Sequence, residues 1–136
     1  MKILSLSSIT FFLVLTKLSF AQSVSVLYFC ERYDSDKGEI NVSDRFTKGS
    51  ITVVVKCDYP LGLENVSIQY DKYNPETNKF EFYKNFSFII KPEMNYVYFT
   101  RNSESDMSFD QPGFYRVFLL DDMGETIASS LIEIIR

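Results

Sequence analysis

Histidine and tryptophan are both missing from the 136 residues. Without histidine there is no Ser-His-Asp or Cys-His activation of a nucleophile, no imidazole general base and no His-ligated metal. Basic residues are in the minority, 14 against 18 acids, and form no run, which speaks against a nucleic-acid or anionic-membrane partner. Helical periodicity is missing too, since no stretch of about ten residues or more keeps a 3.6-residue repeat with caps. No apolar run reaches the roughly 20 residues needed to cross a bilayer. What the chain has instead is aromatic side chains, 13 Phe and 9 Tyr, a usage that suits strands and excludes disorder.

The N-terminus has the order of a secretory signal. Met1 and Lys2 precede an apolar run from Ile9 to Leu15, and Ser19-Phe20-Ala21 supplies a small-x-small cleavage site. Residues 1–21 are therefore expected to be removed, so that the exported protein begins at Gln22 and resides in the periplasm, on the cell surface or in the medium. Cys30 lies too far past Ala21, behind Tyr28 and Phe29, to be a lipid-modified first residue. Losing Lys2 and Lys17 leaves all 18 acids and a net charge of −6. Residues 22–136 have the length of one domain with one core.

Within that domain, period-2 alternation recurs in short runs parted by turn residues. Val24, Val26, Tyr28 and Cys30 share one phase of a first strand, which predicts them inward. A polar connection is expected from Glu31 to Gly49, anchored by Ile40, Val42 and Phe46. Ile51, Val53, Val55 and Cys57 form the inward phase of a second strand, and Val66, Ile68 and Tyr70 that of a third. Asn74 to Lys79 reads as a hairpin turn. Strands then follow at Phe80–Tyr83, Phe86–Ile90 and Tyr96–Thr100, a polar loop at Arg101–Ser108, and a final hairpin of Gly113–Leu120 and Thr126–Ile135 around Asp121-Asp122-Met123-Gly124. Seven to eight antiparallel strands with such spacing predict an all-β sandwich.

The segment Asp110-Gln111-Pro112-Gly113-Phe114-Tyr115-Arg116-Val117 resembles the tyrosine corner of immunoglobulin-like domains. The resemblance implies that Tyr115 starts the penultimate strand and bonds back to the main chain, with Asp110 and Gly113 shaping the corner. Val117 stands where antibody domains carry their second cysteine, so the resemblance points to fibronectin-type and bacterial surface modules that lack the inter-sheet disulfide. Architecture of this kind does not specify a function.

Two cysteines in an exported chain suggest a disulfide. If the first two strands pair antiparallel, however, Cys30 and Cys57 fall at opposite ends of the sheet, roughly 20 Å apart, where a bridge needs Cα atoms within about 7 Å. A crossover by the 31–49 connection would bring them together, so both arrangements stay open. Asp34-Ser35-Asp36-Lys37-Gly38-Glu39 has acidic spacing, but Arg45 stands where a calcium loop needs its last glutamate, and the segment reads as a solvated turn. No metal or other cofactor is expected. Asn41, Asn65 and Asn85 head glycosylation sequons, yet the Asn, Lys, Ile, Tyr and Phe bias is that of an AT-rich bacterial genome, where they go unused.

The final hairpin is apolar on both phases, although a sandwich buries only one face per sheet. The second phase needs either the 31–49 connection or a partner over it. Phe114, Arg116, Phe118 and Leu131 are the candidate binding face. The sequence thus predicts a non-catalytic binding or structural module working outside the cytoplasm through a β-sandwich face or edge, with a protein partner or itself. The other reading is an inhibitor or accessory subunit of an exported protein such as a protease. Asn74-Pro75-Glu76-Thr77-Asn78 is similar to a loop of chagasin-type protease inhibitors, but two of its five positions differ and the family's other two loops have no counterpart.

Overall fold

The computed structural model describes residues 24–136, so the expected signal segment and its cleavage point lie outside the described residues. The chain runs through β1 (Ser25–Asp34), β2 (Gly38–Val42), β3 (Arg45–Thr47), β4 (Gly49–Ser50), β5 (Thr52–Cys57), β6 (Asn65–Asn74), β7 (Lys79–Ile89), β8 (Tyr96–Phe99), β9 (Ser108–Phe109), β10 (Gly113–Leu120) and β11 (Thr126–Ile135). Two sheets form, in the orders β2-β1-β5-β8 and β3-β11-β10-β6-β7, with β4 and β9 as a small patch. The chain crosses between sheets from β5 to β6, back from β7 to β8, and again to β10. These Greek-key crossings make the fold an immunoglobulin-like β-sandwich. The first long segment is shared between sheets: β1 pairs antiparallel with β5, and β3 then runs parallel beside β11.

The core lies between the sheets. Ile51 just before β5, Val53 and Val55 of β5, and Val66, Ile68 and Tyr70 of β6 point into it, in the phases their alternation predicts. In β1 the phase is the opposite of that expected: Leu27 and Phe29 enter the core, while Val26, and Val24 just before the strand, are exposed. Both phases of β1 are apolar, and the outer one is partly covered by the protein itself, so alternation there carries little information. The 31–49 connection is also more structured than expected. It contains β2, β3 and β4, and Asp34 turns the β1–β2 hairpin by accepting the amides of Asp36 and Lys37 at 2.8 and 2.9 Å. Phe80 to Ile89 is one strand, bent by a bulge opposite Tyr70 and Asp71.

Arg101–Ser108, read as a polar loop, instead turns inward. Asn102 caps it through the amides of Glu104 and Ser105, and Met107 and Phe109 are buried. The Phe109 ring stacks on Tyr70 at 4.3 Å and meets Tyr115 edge-on at 4.8 Å, closing one end of the core.

Tyr115 is the third residue of β10, and its hydroxyl donates to the Gln111 carbonyl at 2.6 Å. Gly113 two residues earlier has φ +147, and a Cβ there would meet the Lys72 Cε at 3.1 Å, so the turn before the tyrosine calls for glycine. Asp110 accepts from Lys84 at 2.8 Å and from Tyr83 at 3.2 Å, holding the start of the corner against β7. Tyr70 is equally buried, but its hydroxyl has no hydrogen-bond partner among the described residues. The two tyrosines therefore predict opposite responses to loss of one oxygen. Tyr115→Phe strands a carbonyl and should cost about 1–3 kcal/mol, whereas Tyr70→Phe removes an unpaired buried hydroxyl and should stabilise by about 1 kcal/mol. Urea denaturation of both variants reads the two signs, and equal losses would refute the assignment.

Ser25 pairs with Cys57 and Cys30 with Thr52, which puts the two thiols at opposite ends of the β1–β5 ladder. Both are free. Burial, with the Glu39 charge nearby, pushes the Cys30 thiol above its ordinary pKa, the reverse of what a nucleophile needs.

Candidate functional site

A sandwich has two outer faces, and here the chain treats them differently. In a flat sheet β2 would lie about 14 Å from β8, three strand spacings away. Yet Glu39 of β2 accepts hydrogen bonds from the hydroxyls of both Tyr28 on β1 and Tyr96 on β8. Tyr33 of β1 likewise reaches across β5 to stack on Tyr98, with centroids 3.9 Å apart. The distal half of the β1–β2 hairpin therefore curls over the outer face of its own sheet. Beneath it Cys30, Thr52 and Val54 are buried although they point away from the core. Lys56 completes the cover, its Nζ 4.7 Å from the Tyr96 ring and 3.7 Å from the Glu39 carboxylate.

This cover is held by electrostatics in which each group moves the others. Burial alone would raise the Glu39 carboxyl, but the Tyr28 and Tyr96 hydroxyls, followed by Lys56, more than offset it and bring it below the usual glutamate value. Burial and the same hydrogen bonds push both tyrosines well above their ordinary pKa. At neutral pH the cluster is one carboxylate, one ammonium and two neutral phenols.

The outer face of the five-stranded sheet has no such cover. Phe82, Asp71, Arg116 and Leu131 stand opposite one another in a row across β7, β6, β10 and β11. Phe82 is 67% exposed, Phe114 54% and Leu131 51%. Arg116, half-buried at the centre, lies over the Phe80 ring at 4.8 Å. Asp71 beside it accepts from the Gln69 amide at 2.9 Å. Neither charge has an ion-pair partner among the described residues. Next along the sheet comes the row Asn85, Gln69, Phe118 and Ser129. At the end where the β6–β7 hairpin overhangs Pro112 and Gly113, the face opens into a groove of about 650 Å³ lined by Tyr73, Pro75, Phe82 and Phe114.

The candidate residues Phe114, Arg116, Phe118 and Leu131 all point to this one face. Phe114 and Leu131 are exposed, and Arg116 and Phe118 are half-buried. The 31–49 segment, a candidate to cover them, contributes only β3 at the edge of β11 and spends its hairpin on the other sheet. The sequence reading left out Phe82 and Asp71. Alternation in Lys79-Phe80-Glu81-Phe82 carries the signal for Phe82, but placing it in the Arg116 row requires the β6–β7 register and its bulge.

No protein-family model matches the chain, and no curated protein matches it. Among solved structures it is similar to an immunoglobulin-like protein from Pseudomonas aeruginosa, with 10% identity, a TM-score of 0.46, and coverage of 85% of this chain and 99% of that one.

Proposed function

We propose that this protein is a non-catalytic binding module that acts outside the cytoplasm and engages a protein partner through the outer face of its five-stranded sheet. The observation that carries the reading is the contrast between the two faces. One has its centre covered by the chain's own hairpin, with Val26, Val42 and Tyr98 exposed around that cover, while the other has no hairpin over it and keeps Phe82, Phe114 and Leu131 in water around a half-buried arginine. Aromatic side chains and arginine are the types enriched in protein interfaces and their hot spots. The extracytoplasmic placement rests on Lys2, the Ile9–Leu15 run and Ser19-Phe20-Ala21. The non-catalytic reading rests on the lack of histidine and on a buried, unactivated Cys30 thiol. Nothing favours the inhibitor alternative over this one, since Asn74 serves the hairpin by accepting the Glu76 amide at 2.9 Å and donating to Glu81 at 3.1 Å.

A photo-crosslinking phenylalanine analogue placed at Phe82, in cells that make and export the protein, tests the reading. A discrete adduct is expected there, with none from the same probe at exposed Tyr59 in the β5–β6 connection. No adduct at Phe82, or equal adducts at both positions, would overturn it.

A further inference from the structure

We infer that the partner which fits this face is a second copy of the same chain, docked about a two-fold axis that runs parallel to the strands between β6 and β10. The inference rests on the binding-face reading above and supplies its occupant. Its basis is the order of side chains in the central row: apolar Phe82, acidic Asp71, basic Arg116, apolar Leu131. Two sheets that pack face to face are related by an axis lying in the plane between them, and only two directions keep the strands aligned with the row. An axis along the row would set Arg116 on Arg116 and Asp71 on Asp71, a like-charge arrangement that an interface rejects. An axis along the strands reverses the row instead. Each Arg116 then faces the second copy's Asp71, and each Phe82 faces its Leu131. The row is thus self-complementary in both charge and apolarity, the requirement for an isologous contact.

The state of the two charges in the single chain agrees with this. Asp71 and Arg116 are direct cross-strand neighbours, yet they make no ion pair with each other. The Arg116 guanidinium lies over Phe80, and Asp71 takes only the Gln69 amide. Each keeps capacity for a partner above the sheet. The size of the face sets the class of contact. Five strands about 4.8 Å apart and seven or so residues deep at about 3.3 Å span roughly 550 Å². That flat outline places the contact among the smaller interfaces, the class of transient associations, so the dimer should be concentration-dependent.

Charge reversal in trans is the decisive test, read by sedimentation velocity over a concentration series. The unmodified protein should pass from monomer to dimer. Arg116→Asp alone places Asp against Asp at both contacts, and Asp71→Arg alone places Arg against Arg, so each should weaken dimerisation at least tenfold. Mixed in equal amounts, the two variants should form a heterodimer, because every contact again joins opposite charges. An effect confined within one chain has no rescue by mixing, and a misfolded variant cannot be rescued either. A protein that stays monomeric at all concentrations, or variants that are not restored by mixing, would overturn the inference. The mass of the Phe82 adduct separates this failure from that of the parent reading. An adduct between two copies supports self-association, whereas an adduct with a different protein overturns it and leaves the binding face standing.

Discussion

Phe109→Ala should remove about 3–5 kcal/mol of folding stability, the loss expected for emptying a fully buried phenylalanine site. The residue belongs to β9, two residues long and paired only with Gly49 and Ser50, so by secondary structure it looks dispensable. Its ring is nevertheless 1% exposed and sits between Tyr70 and Tyr115. Neither neighbour can follow a shrinking side chain. Tyr115 is tethered to Gln111, and Tyr70 is fixed at the middle of β6, where it also packs against Phe86. The void therefore persists, and persistent voids carry the larger cost. Phe114→Ala, on the open face, is the matching control and should change stability by no more than about 0.5 kcal/mol. Urea denaturation of the two variants gives the comparison. A loss under about 1 kcal/mol at Phe109 would mean that the loop collapses into the space and that Phe109 is not a keystone.

Glu39→Ala should cost about 2–3 kcal/mol, because it deletes the acceptor for two charge-assisted hydrogen bonds that hold the hairpin over its sheet. The same carboxylate governs the acid limb of stability. Its folded pKa lies below its unfolded value of about 4.3, so its contribution is complete above that pH and is lost as pH falls through the folded value. Asp110 beside Lys84 and Asp34 in the β1–β2 turn are also held below their ordinary values and add to the same limb. Tyr28 and Tyr96 act at the other end, since their pKa values are raised and their contribution is complete below pH of about 10 and declines above it. Burial raises the Cys30 thiol as well, and its contribution starts to decline above about pH 8.5. Stability should therefore be flat from about pH 5 to 8.5 and fall on both sides, more steeply above pH of about 10. Glu39→Gln, which keeps the shape without the charge, should lower the plateau and flatten the acid limb. An acid limb of unchanged slope in that variant would show that the cover does not depend on the Glu39 charge.

The strands that bury one face and wet the other were legible from alternation alone. Val66, Ile68 and Tyr70 of β6 declare themselves against Ser67 and Gln69. Alternation failed where both faces are covered, and β1 shows why: Leu27 and Phe29 meet the core while Tyr28 and Cys30 lie under the hairpin, so its two phases look alike. The hairpin itself was hidden by its polarity. Glu39 reads as a solvated acid in sequence, and only the approach of Tyr28 and Tyr96 makes it a structural acceptor. Phe109 was missed for a similar reason, since Ser103, Glu104, Ser105 and Asp106 give its loop the composition of a surface segment. For the open face, the apolar double phase of β10 and β11 pointed to the right sheet. The row that joins Phe82 and Asp71 to Arg116 is a product of strand order, which no local pattern encodes.

The hairpin that curls over β5 and β8 also orders events in time. Its own turn is short, and a hairpin of this kind forms within about 1–10 μs. The surface on which it comes to rest includes Tyr96 and Tyr98, which lie far along the chain, beyond the intervening β6–β7 hairpin. During synthesis, which proceeds at about 5–20 residues per second, the N-terminal hairpin is therefore made seconds before its seat exists. In that interval Tyr28, Tyr33 and the bare edge of β1 are exposed to any other unfinished chain. The first part of this sandwich to be made is among the last to be completed, and the period before β8 arrives is when newly made chains are most prone to stick to one another.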